Sequence, residues 1–348
     1  MRHTVLPFLL LTVFCRMLPA QAVATLDYHE GMVTLIQTER VAHEHELSFG
    51  EPMHDGDILE TGHSGYAELS FGGGRLAVIR VHHNTAYAVS APPAAGGAAP
   101  GIELFVGKVR VILDRGAAGR SFQLRSQSVV LGVRGTEFDV MTSPDGALLL
   151  GVRSGSVDAQ SARAERLASA GEVLEILPSG AMEALVVPVD RMDAYFEIWL
   201  QLRSEAFSAN PSFFLHSYAQ RFPAAQRRFF SDAERLAGFG ERLQAALAAE
   251  LSAAETVSLR AEAGAAAVSA RGSIVAFEQE FHAIIELLRV LPQGFERSLA
   301  RELQGFIESF NRERIGSWRR IAQTRYILSL YDRLQVRVPG AGAVMGRE

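Results

Sequence analysis

Apolar and polar positions change their spacing once along this chain. From Val23 to about Val189 they alternate over short runs separated by glycine-containing turns: Ala67, Leu69 and Phe71 share one face of Tyr66 to Phe71, and Leu76 to Val81 and Val106 to Leu113 are further runs rich in Val and Ile. Such alternation predicts half-buried strands, because successive side chains leave a strand on opposite faces. From about Asp190 the spacing becomes helical. Ile274, Phe277, Phe281, Ile284, Ile285, Leu288 and Leu291 form one apolar stripe that stops at Pro292, and Phe295, Leu299, Leu303, Phe306 and Phe310 form another. Ser231-x-x-Glu234 and Ser252-x-x-Glu255 read as capping boxes and predict helix starts near those serines. Trp199, Phe213, Phe214, Phe229 and Phe230 supply bulky core. The pattern predicts a multidomain all-β plus all-α chain. An all-β domain of short strands fills 23–189, and a bundle of about five to seven helices fills 190–337. The tail 338–348 reads as disordered, and the two halves are expected to separate near residue 189, where the period switches.

Within the β half, Leu131 to Val140 interrupts its own alternation. Val129, Leu131 and Val133 share a face before the break, and Phe138 and Val140 resume it afterwards, with Glu137 and Asp139 on the opposite face. Gly132 and Gly135 at the break suit a bulge or a close backbone approach. Ala91 to Gly101, rich in Ala, Pro and Gly, reads as a flexible loop inside the domain. Gly31-x-Val33 followed by Gly56-Asp57, and Gly155-x-Val157 followed by Gly171-Glu172, form a weak echo that suits a meander opening its strands after glycine turns.

An ordered set of short motifs runs through this half: Gly31-x-Val33, Gly56-Asp57-x-Leu59-x-Thr61-Gly62, Ala67-x-Leu69-x-Phe71-x-x-Gly74, Leu104-x-x-Gly107-x-Val109, Val133-Arg134-Gly135-Thr136-Glu137-Phe138-x-Val140, Val152-x-x-Gly155-x-Val157 and Gly171-Glu172. The set resembles the FecR domain, over roughly residues 31–175. The resemblance implies an all-β module lying outside the cytoplasmic membrane, of the kind that in iron-uptake regulators relays a receptor's occupancy to a sigma factor. It also implies that Gly56, Asp57, Thr61, Gly62, Gly107, Val133, Arg134, Gly135, Thr136, Glu137, Phe138, Gly155, Gly171 and Glu172 are structural positions of that module. This sequence shows no cytoplasmic anti-sigma segment before the domain, no transmembrane helix and no receptor-docking module after it. No family resemblance extends into the helical half.

Composition narrows the compartment. Arg2 and His3, an apolar core from Val5 to Phe14, and Ala20-Gln21-Ala22 make residues 1–22 a secretory signal peptide, expected to be cleaved before Val23. The apolar run is about half of the roughly twenty residues that a membrane span requires. Cys15 is the single cysteine, and Phe14 before it does not suit a lipoprotein signal. Cleavage would leave no thiol for disulfides or catalysis. The formal net charge of −5 becomes more acidic by two when Arg2 and Arg16 are removed, which argues against nucleic-acid binding. The expected location is periplasmic or extracellular, with no transmembrane segment after cleavage.

Candidate chemistry is sparse. His43, His45, His54, His63, His82 and His83 are the densest cluster of possible metal ligands, but His43-Glu-His45-Glu also suits a solvated turn, and no metal-binding framework accompanies it. Glu137 and Asp139 share a strand face and could form a carboxylate pair of the glycosidase kind, although exposed strands commonly carry two acids. Gly72-Gly73-Gly74 follows a strand but precedes no helix, so it reads as a hairpin turn. Trp318 with Arg312, Arg314, Arg319 and Arg320 is a basic aromatic stretch that suits a solvated helix face better than an anionic surface. The sequence therefore points to a non-enzymatic extracytoplasmic protein with no cofactor and no metal, whose β domain binds a protein or glycan of the cell envelope and whose helices dock or homo-oligomerise. The alternatives are an envelope signalling component that relays a sensed ligand to a separate membrane regulator and, less favoured, a cell-wall enzyme.

Overall fold

The computed structural model describes residues 22–337, apart from 38–40, 73–75, 92–98, 115–120, 127–128, 134, 249, 292–294 and 296–298. The expected signal segment up to Gln21, the tail from 338, most of the Ala91 to Gly101 loop, Gly73, Gly74 and Arg134 lie outside the described residues.

Eighteen strands form two nine-stranded sheets. The first contains β1 (Ala24–Glu30), β4 (Glu51–Met53), β6 (Tyr66–Phe71), β7 (Ala77–Val81), β10 (Lys108–Leu113), β13 (Glu137–Thr142), β14 (Leu148–Ser154), β17 (Glu172–Ile176) and β18 (Met182–Val186). The second contains β2 (Val33–Ile36), β3 (Val41–His43), β5 (Ile58–Thr61), β8 (Ala86–Ser90), β9 (Gly101–Val106), β11 (Phe122–Arg125), β12 (Val129–Val133), β15 (Ser156–Ser161) and β16 (Glu165–Ser169). Their orders are β18-β17-β14-β13-β10-β7-β6-β1-β4 and β16-β15-β12-β11-β9-β8-β5-β2-β3. Both orders track the sequence, so the chain lengthens the two sheets together while crossing between them. Inward residues such as Leu69, Val109, Phe138 and Leu150 of the first sheet meet Leu35, Leu104, Leu131 and Val157 of the second in one core. Glycines with positive φ stand at crossings between the sheets: Gly31, Gly107, Gly135, Gly155 and Gly171. Repeated crossings made by the same turn chemistry account for the echo in the sequence.

Five α-helices follow: α1 (Met192–Ser208), α2 (Pro211–Ala237), α3 (Gly240–Leu247), α4 (Ala253–Val290) and α5 (Arg301–Arg337). The expected all-β part followed by a helical part is thus the observed architecture. Ser252 caps α4 with the reciprocal Glu255 box, a device worth about 1 kcal/mol. Ser231, by contrast, lies inside α2, which starts behind the Asn210 cap. The local spacing was misleading there because the backbone donors near residue 231 are already satisfied within a continuous helix. Val106 to Leu113 is likewise not one strand, because Gly107 turns the chain from β9 into β10 of the other sheet. Gly132 carries neither a bulge nor a close approach. It sits in regular register with Gln123 and Asp158, and the irregularity falls between Glu137 and Phe138.

The layers decide what the helices do. Helix α1 covers the outer face of the first sheet, placing Met192, Phe196 and Trp199 over Met141, Leu149 and Val173. Helices α2, α4 and α5 cover the outer face of the second sheet, with Phe229, Phe277, Phe281 and Trp318 packed on Ile36, Ile58, Ala86 and Phe105. The two halves therefore share apolar surface.

Candidate functional site: a polar seam between sandwich and helices

Within the first apolar stripe of α4, and offset from it by one residue, Glu278, His282 and Glu286 recur every four residues. That spacing places them on one helix face. The face is turned inward against β9 and α5, and the three residues are buried at 5%, 3% and 3% exposure. Buried titratable groups are costly unless paired, so each partner matters.

Glu278 meets Arg325 of α5, whose Nε donates at 3.0 Å and Nη2 at 2.8 Å. The same guanidinium donates to Glu103 of β9 at 2.5 and 2.9 Å and lies 5.1 Å from the Phe105 ring centroid. One cation thus holds two carboxylates from opposite halves. Glu103 is pulled below the usual carboxylate range because the nearby Arg325 and Arg125 charges outweigh its desolvation. Burial, reinforced by the Glu103 charge, pushes Glu278 up to about 7 against the pull of Arg325.

His282 stacks on Phe105 at 4.6 Å with a 17° tilt, and the Trp318 ring centroid lies 5.2 Å from that of His282. Neither ring nitrogen has a hydrogen-bond partner among the described residues, and burial, with a smaller push from Arg325, lowers its pKa to about 3. Burial favours the neutral imidazole, which together with Tyr218 and Glu286 lines a small cleft of about 120 Å³. Glu286 bonds Arg289 through one oxygen, its other oxygen has no partner among the described residues, and burial raises it to about 7 despite that arginine. Arg289 in turn donates to the Asn84 carbonyl at 3.2 Å, and Arg314 pairs with Glu60 of β5. Two larger clefts flank the seam. One of about 340 Å³ is lined by Glu60, Asn84, Glu286, Arg289, Asn311 and Arg314, and one of about 330 Å³ by residues including Asp55, Glu103, Arg125, Arg271 and Arg325.

A second polar junction holds α1. Asp139, completely buried, accepts from Arg110 Nε at 2.7 Å and Arg153 Nε at 2.5 Å, and both arginines also hold Asp193 of α1 at 2.9 and 2.6 Å. The expected exposed pair of Glu137 and Asp139 is therefore not formed. Asp139 is covered by α1, whose position alternation along β13 cannot reveal. Trp318 also departs from the expected solvated basic face: it is fully buried against the seam, while Arg320 lies over Phe230 at 4.4 Å.

The motif residues serve crossings and core. Asp57 accepts from the His54 backbone at 2.7 Å and from Gln37 at 2.9 Å. Thr61 donates to the His82 carbonyl at 2.6 Å and accepts from Thr85 N–H at 2.9 Å, while Thr85 Oγ1 accepts from Lys108 N–H at 3.0 Å. Gly107, with φ +101°, passes so close that a Cβ would lie 2.5 Å from Thr85 Cα. Val133 and Phe138 are core, buried Thr136 lies against Gly155, and Glu172 accepts from Ser169 N–H at 2.7 Å. Gly56 and Gly171 adopt positive φ, and a Cβ on Gly62 would strike Met32. His43 and His45 stack at 6.4 Å, but His45 belongs to a short 3₁₀ turn and not to the strand. Among the described residues, no three or more His, Cys, Asp or Glu side chains are grouped to hold a metal. The seam residues Glu278, His282, Glu286 and Arg325 were missed from sequence, although a four-residue polar recurrence beside an apolar stripe was a readable signal.

Residues 57–158 match the family model described as FecR protein. No curated protein matches the chain. Two crystal structures of a putative anti-sigma factor from Parabacteroides distasonis ATCC 8503, at 1.65 and 2.50 Å resolution, are similar at 16% identity, with TM-scores of 0.34 and 0.35. Each alignment covers 40% of this chain and 64% or 63% of the other, so the match spans under two thirds of those proteins.

Proposed function

We propose that this protein is a non-enzymatic signalling component of the cell envelope, exported by a cleaved signal peptide, whose FecR-like β domain recognises a protein or glycan partner and whose helical half responds to that recognition. The observation that carries this reading is that the segment matching the FecR family supplies the β side of the seam through Glu60, Glu103 and Phe105. A partner on the sandwich would act on the helices through those contacts, which form a contiguous physical route between the two halves. No described helix is long and apolar enough to cross a membrane, so a relay to a membrane regulator would run through a separate chain. The cell-wall enzyme reading loses support because both Asp139 oxygens are held by arginines under α1, which leaves Glu137 without a free carboxylate partner on that strand face.

The test uses the tagged full-length protein in its own host. Fractionation and N-terminal sequencing should find a chain starting at Val23 in the soluble envelope fraction. In-cell crosslinking should capture an envelope molecule, and deleting the gene should shift transcription in a way that the wild-type chain restores and Arg325→Met does not. A cytoplasmic chain with Met1 intact, or a deletion that leaves transcription unchanged, would sink the reading.

A further inference from the structure

The outer face of the first sheet is covered unequally. Helix α1 lies over β13, β14 and β17, whereas at the opposite side Tyr28 of β1 and the nearby Phe49 present aromatic rings to solvent, with half-buried Tyr66 of β6 beside them. Register places Tyr28 of β1 beside Glu68 of β6, Glu68 beside Arg80 of β7, and Glu30 beside Tyr66. Phe49, in the turn before β4, is 72% exposed and Tyr28 40%. The Phe49 and Tyr28 rings are 6.4 Å apart and tilted by only 24°, and Tyr66 meets Tyr28 edge-on at 6.1 Å. Single exposed apolar side chains are ordinary on a protein surface, but a contiguous exposed ring cluster marks an interaction site.

The chemistry around the rings selects the partner. Tyr28 Oη donates to Glu30 at 3.1 Å, Tyr66 Oη donates to Glu68 at 2.5 Å, and Arg80 Nε donates to the same Glu68 oxygen at 3.1 Å. Flat apolar ring faces thus alternate with planar acceptors and donors, which suits a molecule that alternates C–H faces with hydroxyl edges. Asp27 and Glu30 are both exposed beside the rings and Arg80 already faces Glu68, so the patch carries surplus negative charge that disfavours anionic polymers. We propose that Phe49, Tyr28 and Tyr66, with Glu30 and Arg80, form a binding platform for a neutral glycan chain. Sugar rings stack on Phe49 and Tyr28 while their hydroxyls bond Glu30 and Arg80. The proposal deepens the envelope-recognition reading and rests on it.

Isothermal titration of the full mature chain with β-1,4-linked hexasaccharides of glucose and of N-acetylglucosamine, with polygalacturonate as the anionic comparison, tests this. At least one neutral hexasaccharide should bind and polygalacturonate should not. Phe49→Ala and Tyr28→Ala should each weaken binding tenfold or more, and Phe49→Ala should do so without lowering Tm, because its side chain is 72% exposed. The assignment is overturned if neither hexasaccharide binds at millimolar concentration, if polygalacturonate binds as well, or if both variants bind like the parent. It is equally overturned if the variants lose a crosslinked envelope protein while no glycan binds. In each of these cases export and the transcriptional effect of deletion stand or fall separately.

Discussion

Arg325 and Glu103 face each other across 222 residues of sequence, joined by hydrogen bonds of 2.5 and 2.9 Å from both terminal nitrogens of the guanidinium. The pair ties the last helix to the middle of the second sheet, and Glu278 completes it from α4. The seam is therefore polar in chemistry although it lies beside an aromatic core.

Removing the shared cation should be costly. Arg325→Met leaves Glu103 and Glu278 facing each other, and we expect a loss of about 3 kcal/mol in chemical denaturation, toward the low end for broken buried pairs because Glu103 keeps a third of its side chain in solvent. Replacing all three residues by Met, Leu and Leu should recover most of that loss. A triple variant no more stable than Arg325→Met would show that the ion pairs are not what the single change disturbs.

The seam should also titrate. Burial raises Glu286 from its ordinary 4.5 to about 7, so the folded chain holds that proton more tightly than the unfolded chain. Its contribution is fully present below about pH 4.5 and falls as pH rises through 7, by about 3 kcal/mol. His282 acts oppositely: with its pKa lowered to about 3, its contribution is present above 6.5 and is lost as pH falls through 3. Glu286→Gln should therefore gain on the parent between pH 4.5 and 7.5, and parallel stability profiles would refute the assignment.

Gly135 crosses from β12 to β13 with φ +61°. A β-branched residue resists that region, and Gly135→Val should cost about 2 kcal/mol or more. Unchanged unfolding of the variant would mean that the turn relaxes at no cost.

Glu137 and Asp139, two residues apart on one strand face, should behave differently. Asp139→Ala leaves Arg110 and Arg153 with the half-exposed Asp193 in place of their buried partner and should cost about 3 kcal/mol, the low end for a broken buried pair. Glu137→Ala, at a half-buried position, should cost less than about 1 kcal/mol. Equal costs in the same denaturation series would count against the α1 junction.

A fragment of residues 23–189 uncovers Ile36, Ile58, Phe105 and Val106, which the helices bury in the whole chain. We expect it to keep a β-type circular dichroism spectrum but to self-associate and bind a hydrophobic dye. A monomeric fragment with a sharp unfolding transition and no dye binding would restore the expectation of two independent units.

The sequence by itself determined which segments became strands and which became helices, because alternation along Tyr66 to Phe71 and the stripe from Ile274 to Leu288 are local signals. It also placed a tight kink at Gly135, because few residues other than glycine tolerate positive φ, although that the kink is a crossing between the two sheets was visible only in the structure. Other positions were decided only by the tertiary structure. The strand pattern leaves Asp139 facing outward, and whether outward means solvent or the underside of α1 depends on a helix more than fifty residues later in the chain. Helical spacing places Glu278, His282 and Glu286 on one face, but only the docking of α4 and α5 on β9 turns that face inward and makes Arg325 the partner of Glu103. The physical reason is the same in each case. Periodicity fixes the direction of a side chain relative to its own element, whereas its burial, charge state and partner depend on which distant element packs against it.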